Sequence, residues 1–274
     1  MNREMLMKTV PPKKVEIAII GGSGLESLLE CSQKIRVGTP YGHPPLISLG
    51  EIEGRKIAFL PRHGYEHDLP PHRINYRANI YSLYKIGVQR IFATNAVGAI
   101  NPNLHVEDIV VPHDLIDFTK QRPLTFFDES PIIHVDFTEP YCSELRKALI
   151  QAAKSLAEPI HERAVYACTE GPRYETAAEI RMLRRLGCDI VGMTGIPEAV
   201  LARELGMCYA SLCYVSNMAA GIGGRISHRK VIEIASSIRP KLSNILMKAV
   251  LYLPESRNCR CVLFEGYKEE EKEC

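Results

Sequence analysis

Short apolar runs alternating with amphipathic stretches dominate the chain. The pattern is clearest in Cys188 to Gly221, CDIVGMTGIPEAVLARELGMCYASLCYVSNMAAG. CDIVGM is a brief apolar run, and Pro197 soon after Gly195 suits the first turn of a helix. EAVLARELG has apolar residues at helical spacing and stops at Gly206. CYASLCYV reads as a second strand ending in polar Ser216 and Asn217. In open α/β sheets ligands collect where strand ends meet helix starts, which directs attention to Met193, Thr194 and Asn217.

The same alternation runs through the rest of the chain. Val15 to Ile20 reads as a strand entering a glycine turn, Gly21 to Gly24, whose N–H groups and Ser23 hydroxyl suit an anion. A dinucleotide fingerprint would need glycine where Ser27 stands and an acidic residue ending the next strand, so a phosphate-sized ligand fits better. Arg55 to Leu60 is a strand that delivers Arg62 and His63 into the loop RHGYEHDLPPH, a pair suited to an oxyanion. His63, His67 and His72 are not read as a metal set, because Gly64 and Pro70-Pro71 break the helix that would align them.

Asn75 to Ile86 reads as a tyrosine-studded helix, and RIFATNAVGAI as a strand and small-residue turn that places Asn95 and Ala96 at a strand end. Asp108 to Phe118 is expected as one strand, and Gln121 to Pro140 as a long aperiodic loop with a function or a partner. Further helices are expected over Tyr141 to Leu156, Ala177 to Leu186 and Ser227 to Leu251, with a strand over Glu162 to Thr169. Glu175 falls near a helix start, and His228 in the first turn of the last helix. No repeat or linker divides the chain, so residues 1–274 are expected to form one domain, with an N-terminal extension, 1–14, and a charged Cys-containing tail, 255–274.

Composition narrows this picture. The 274 residues are 46% hydrophobic and 24% charged, with a net charge of +2. That balance gives no electrostatic case for nucleic acid or membrane partners, and no apolar run reaches membrane-spanning length. The first fourteen residues are basic without an apolar core, so a cytoplasmic location is expected. Nine cysteines include no CxxC pair. Cys259-Arg260-Cys261 reads either as two solvated thiols or as a small strained disulfide of a hyperthermophile's protein.

The motifs IGGSGL, RHG, TNAVGAI, EGPRYET, VGMTGIPE and VSNMAAG, in this order, resemble the trimeric-type purine nucleoside phosphorylases, within their methylthioadenosine phosphorylase subgroup. The resemblance implies an α/β fold with a central mixed, partly barrel-like sheet flanked by helices. It implies a homotrimer or dimer of trimers, no metal or organic cofactor, and inorganic phosphate as co-substrate. By residue, it implies phosphate binding at Ser23, Arg62, His63, Asn95, Ala96 and Thr194. It places Met193 under the sugar, Tyr174 over the purine, and Met218 and Ala219 in the same substrate site. Asn217 and Glu175 would act on the base, and His134 would reach a neighbour's site. Glu175 with Asn217 resembles enzymes for 6-oxopurines, whose N1–H needs an acceptor and whose O6 needs a donor. His228 matches a contact to a free 5′-hydroxyl, whereas Val231 and Ile232 would give an apolar floor for a methylthio group. Inosine and guanosine are therefore the expected substrates, with 5′-methylthioadenosine or 5′-methylthioinosine the alternative. Cys142 and Cys208 match positions joined in heat-stable relatives, and Cys259-Cys261 resembles their tail motif.

Overall fold

The computed structural model describes residues 15–22, 29–66, 68–129 and 132–261, and the backbone alone of 30–32. Its strands are β1 (Ile17–Gly21), β2 (Glu30–Ile35), β3 (Ile47–Ile52), β4 (Arg55–Pro61), β5 (Arg90–Ala99), β6 (Ile109–Val110), β7 (Asp114–Phe118), β8 (Val165–Thr169), β9 (Ile190–Gly192) and β10 (Cys208–Met218). Its helices are α1 (Tyr76–Lys85), α2 (Ser143–Ser155), α3 (Ala177–Arg185), α4 (Gly195–Glu204) and α5 (His228–Leu251). One mixed sheet runs β2-β3-β4-β1-β5-β9-β8-β7, with β10 along the other edge of β5 and β6 beyond it.

The apolar runs are continuous because the sheet is covered on both faces. Ile17 and Ile19 of β1 pack with Ile57, Phe59 and Phe92 under α2 and α5. Their neighbours Ala18 and Ile20 join Ala58, Leu60 and Ile91 on the opposite face with α1 and α4. Each helix starts as its sequence dictates. Asn75 caps α1 by accepting from Ala78 N at 3.0 Å. Thr176 and Glu179 close a capping box on α3. Gly206, at φ +65°, follows α4 in the left-handed region, as a helix stop requires.

The expected strand from Asp108 to Phe118 is two strands in the structure. Pro112 lacks an N–H, and the pieces on either side of it serve different partners. β6 pairs antiparallel with β10, and β7 pairs parallel with β8. The strand entering Asn95 does not turn there either. β5 continues to Ala99 because β10 pairs with it along its whole length. On its other edge β1 pairs only with Arg90 to Ala93, and β9 only with Gly98 and Ala99. Between those stretches β5 has no strand neighbour on that edge, and Ala96 is exposed in an otherwise buried strand. The sheet opens there, in mid-strand.

Candidate active site

Two expected phosphate residues, Asn95 and Thr194, meet at that opening. Asn95 is buried, donates from Nδ2 to Thr194 Oγ1 at 2.8 Å, and accepts from Ser211 Oγ at 2.6 Å. Thr194 sits at the N-cap of α4 with no side-chain cap bond, its hydroxyl being taken by Asn95, which ties the start of that helix to β5. The positive end of the helix dipole suits an anion there, and the Gly195 N–H of that turn is directed at the Tyr166 hydroxyl at 3.5 Å. His63 donates from Nδ1 to the Leu69 carbonyl at 2.7 Å.

Arg62 is placed differently from a free oxyanion fork. Its Nε and Nη2 donate to the two oxygens of Glu198 at 2.5 and 2.8 Å, and Nη1 donates to Thr94 O at 2.9 Å. Glu198 lies on a buried face of α4, is wholly enclosed, and also accepts from the Tyr209 hydroxyl at 2.8 Å. A buried carboxylate demands a fully paired cation, and this demand turns the guanidinium inward. Burial opposes the charge on Arg62, but Glu198 outweighs it and holds the guanidinium above its ordinary pKa. Three of its five N–H groups are engaged in these bonds, leaving two for a ligand.

The next wall is built around the turn from β9 to α4. A Cβ on Gly192 would lie 2.2 Å from the Tyr166 hydroxyl, and one on Gly195 2.7 Å from the Tyr166 ring. Only glycine lets this turn wrap the buried tyrosine, and the wrap presents Met193 and Thr194 to the site. Arg122 fixes the turn from outside. It donates to Met193 O at 2.5 Å, Glu170 O at 2.5 Å, Thr169 O at 3.4 Å and the Tyr76 hydroxyl at 3.1 Å, and it pairs with the Glu170 carboxylate at 3.3 Å. Although burial works the other way, N–H groups and Arg122 hold the Glu170 carboxyl below its usual range. The segment from Glu170 to Glu175 is thereby docked on Met193.

Glu175 precedes the N-cap of α3, so it lies just outside the helix. It is nearly buried, and its Oε1 accepts from Thr169 Oγ1 at 2.6 Å. Tyr174 beside it has a phenol pushed up by burial and by the charge of Glu175. Its hydroxyl lies 3.5 Å from His228 Nδ1, which brings two expected substrate residues together across α3 and α5.

Asn217 is aimed by a bulge. Val97 pairs with Val215 but Gly98 pairs with Asn217, so Ser216 is the extra residue. Ser216 Oγ donates to Asn217 Oδ1 at 2.9 Å, and Asn217 Nδ2 donates to Met218 O at 2.9 Å. That geometry leaves one amide N–H for a ligand. Asn217 and Met218 line a cleft of about 370 Å³ that continues to Ser227 and Lys230 at the start of α5. Ala219 is buried, and its N–H donates to Ala99 O at 2.9 Å. Val231 is half-buried, but Ile232 is 54% exposed and forms no floor within the chain. His134 is exposed on a segment without helix or strand. Ser23 and His67 lie outside the described residues.

The expected disulfides are not formed in the structure. Cys142, Cys208, Cys259 and Cys261 are all free thiols. Their four sulfurs share one cluster.

The sequence pattern did not single out Glu198, Ser211, Ser216 or Arg122. Glu198 carried a usable signal, since it shares the apolar face of its helix with Leu201 and Ala202, where a carboxylate needs a partner. Arg122 carried none, because its acceptors, three carbonyls, the Tyr76 hydroxyl and the Glu170 carboxylate, come from distant segments.

The sequence profile described as the phosphorylase superfamily matches residues 16–251. The chain is 50% identical over 254 residues to a 6-oxopurine nucleoside phosphorylase of Pyrococcus furiosus, covering 89% of this chain and 96% of that protein. It is also 50% identical over 248 residues to a Methanopyrus kandleri protein named "Probable S-methyl-5'-thioinosine phosphorylase", covering 90% of this chain and 96% of that protein. A methylthioadenosine phosphorylase sourced from an antarctic soil metagenomic library has a solved structure that superposes with a TM-score of 0.87 at 37% identity, covering 91% of this chain and 90% of that one. On this evidence from profile, sequence and fold, the chain belongs to the phosphorylase superfamily.

Proposed function

We propose that the protein is a purine nucleoside phosphorylase that prefers 6-oxopurine nucleosides, inosine and guanosine. The observation that supports this preference is the presence of both a nearly buried carboxylate, Glu175, and an amide, Asn217, aimed by the Ser216 bulge. Glu175 accepts from the base N1–H, and the free N–H of Asn217 donates to the departing base. Phosphate is held at the α4 N-terminus by Thr194, the Asn95–Ala96 edge, His63 and the two remaining N–H groups of Arg62, and the resemblance adds Ser23 as a further donor.

The bond from C1′ to the purine nitrogen breaks as a phosphate oxygen bonds to C1′. The electron pair leaves with the base, which takes up a proton. The sugar passes through an oxocarbenium-like state, stabilised by the phosphate dianion beneath it. A donor placed where charge develops on the base lowers the barrier by about 3 kcal/mol. Neither step calls for a metal or an organic cofactor, and phosphate is a co-substrate.

The second reading, methylthioinosine cleavage, is favoured by the Methanopyrus kandleri relative's name and by half-buried Val231. We also infer that the active form is a cytoplasmic homo-oligomer, a trimer or a dimer of trimers. Exposed His134 and Ile232 support this, because a neighbouring subunit would cover them. Among the described residues no helix is long and apolar enough to cross a membrane.

The test is base release from inosine, guanosine, adenosine, methylthioinosine and methylthioadenosine, each with and without phosphate. Phosphate-dependent release, fastest from inosine or guanosine, is expected. Release without phosphate, or equal rates on adenosine, would overturn the reading. Light scattering on the active enzyme tests the assembly.

A further inference from the structure

Away from this site, four cysteines from three distant parts of the chain converge. Cys142 occupies the N-cap of the thirteen-residue helix α2, Cys208 opens β10, and Cys259 and Cys261 follow α5. Their sulfur atoms all lie within 4.8 Å of one another, and those of Cys208 and Cys259 are 3.3 Å apart. Three of the four residues are buried and Cys259 is half-buried. A disulfide would need about 2.05 Å between two sulfurs. A tetrahedral ion with metal–sulfur bonds of about 2.3 Å instead spaces its four sulfurs about 3.8 Å apart. The observed separations bracket that spacing.

The surroundings suit the charge such a site would carry. Four thiolates around a divalent cation leave a net double negative charge. Arg203 Nη2 lies 3.8 Å from Cys261 Sγ, while its other hydrogen bonds run to the carbonyls of Asp136 and Glu139. Its positive charge is therefore directed at the cluster. Cys142 also lies at the positive end of the α2 dipole.

We propose that Cys142, Cys208, Cys259 and Cys261 form a structural site for one thiophilic divalent cation of the zinc class. Four protein sulfurs close the coordination shell, so the role is structural. Binding replaces four S–H bonds by four metal–sulfur bonds and releases four protons, with no change of oxidation state. The ion would fasten the segment after α5 to α2 and to the start of β10, whose far end carries Asn217.

The experiment uses the full-length protein, reduced and kept free of oxygen, titrated with cobalt(II) and then cadmium(II). The expected result is one equivalent bound per chain, with the visible bands of a tetrahedral cobalt–thiolate centre and a higher Tm. Cys259→Ser together with Cys261→Ser should abolish binding and leave phosphorolysis in place. Should that variant not fold, release of bound cadmium from wild type by an organomercurial, in step with thiol modification, gives the same answer. Absence of cobalt binding by the reduced protein would overturn the proposal. So would unreduced peptide maps showing Cys142 linked to Cys208, or Cys259 to Cys261, in protein isolated without oxygen.

Discussion

Glu198 holds Arg62 by two parallel hydrogen bonds in a site where neither side chain meets solvent to any extent. The pair sets the direction of the guanidinium, and so of the two N–H groups that the proposed function gives to phosphate. Glu198→Gln removes the balancing charge from a buried cation, a change that costs about 3–5 kcal/mol. We expect a large drop in Tm and at least a tenfold rise in the phosphate KM, with the nucleoside KM little changed. Initial rates over a phosphate series check this. Tyr209→Phe loses one hydrogen bond to the same carboxylate, about 1 kcal/mol, and should be much milder.

Arg122 is expected to act as a positioning residue, through Met193 and the segment from Glu170 to Glu175. Arg122→Lys keeps the charge but cannot reach the same set of acceptors. We expect kcat to fall about tenfold or more and nucleoside KM to rise, while the phosphate KM stays near wild type. A uniform loss of active protein, with both KM values unchanged, would assign it a purely structural role.

Under the proposed function, base choice is expected to rest on Asn217 and Glu175. A carboxylate that faces the bare ring nitrogen of adenine is left unpaired, at about 1–3 kcal/mol, or roughly tenfold to hundredfold in kcat/KM. Asn217→Asp should shift preference toward 6-aminopurines and weaken inosine cleavage. The ratio of kcat/KM for inosine over adenosine, in both proteins, is the measurement.

His228 is expected to fix the sugar's 5′ end, with Tyr174 beside it. His228→Val should lower kcat/KM for inosine and move preference toward methylthioinosine. If that substitution leaves the ratio unchanged, His228 does not read the 5′ group.

Arg173 donates to both oxygens of Glu179, at 2.8 and 2.7 Å, and this ion pair across the Tyr174 segment depends on pH. Hydrogen bonds from Arg173, then from Thr176, lower the Glu179 carboxyl from 4.5 to about 2. A folded pKa below the unfolded one gives stability that is present above about 4.5 and lost as pH falls toward about 2. Glu179→Gln should therefore lower Tm by a few degrees near neutral pH, and the difference should vanish at strongly acid pH. Thermal unfolding of both proteins across that range checks the sign.

Much of the fold was legible because its apolar periods are strong. The strands β1 and β4 and all five helices follow them closely. The strands β2 and β3 were not found, since ECSQKI and ISLGEI mix polar and apolar residues as sheet-margin strands do. The small residues after Asn95 looked like a turn, and only the pairing with β10 keeps them extended. At the site, residue types were legible and directions were not. Arg62 announced an anion by its chemistry, but its orientation belongs to a carboxylate more than a hundred residues away. The thiol cluster was hidden for the same reason, because no local spacing records a meeting of three distant segments.

The turn around Tyr166 has a consequence for anyone who would redesign this enzyme. With Gly192 and Gly195 both pressed against the phenol, the turn can vary only at the two positions between them. A library randomised over all four would discard most of its members at folding, before selectivity was ever sampled. One that keeps both glycines and varies Met193 and Thr194 alone would spend its diversity on positions that the fold can accept.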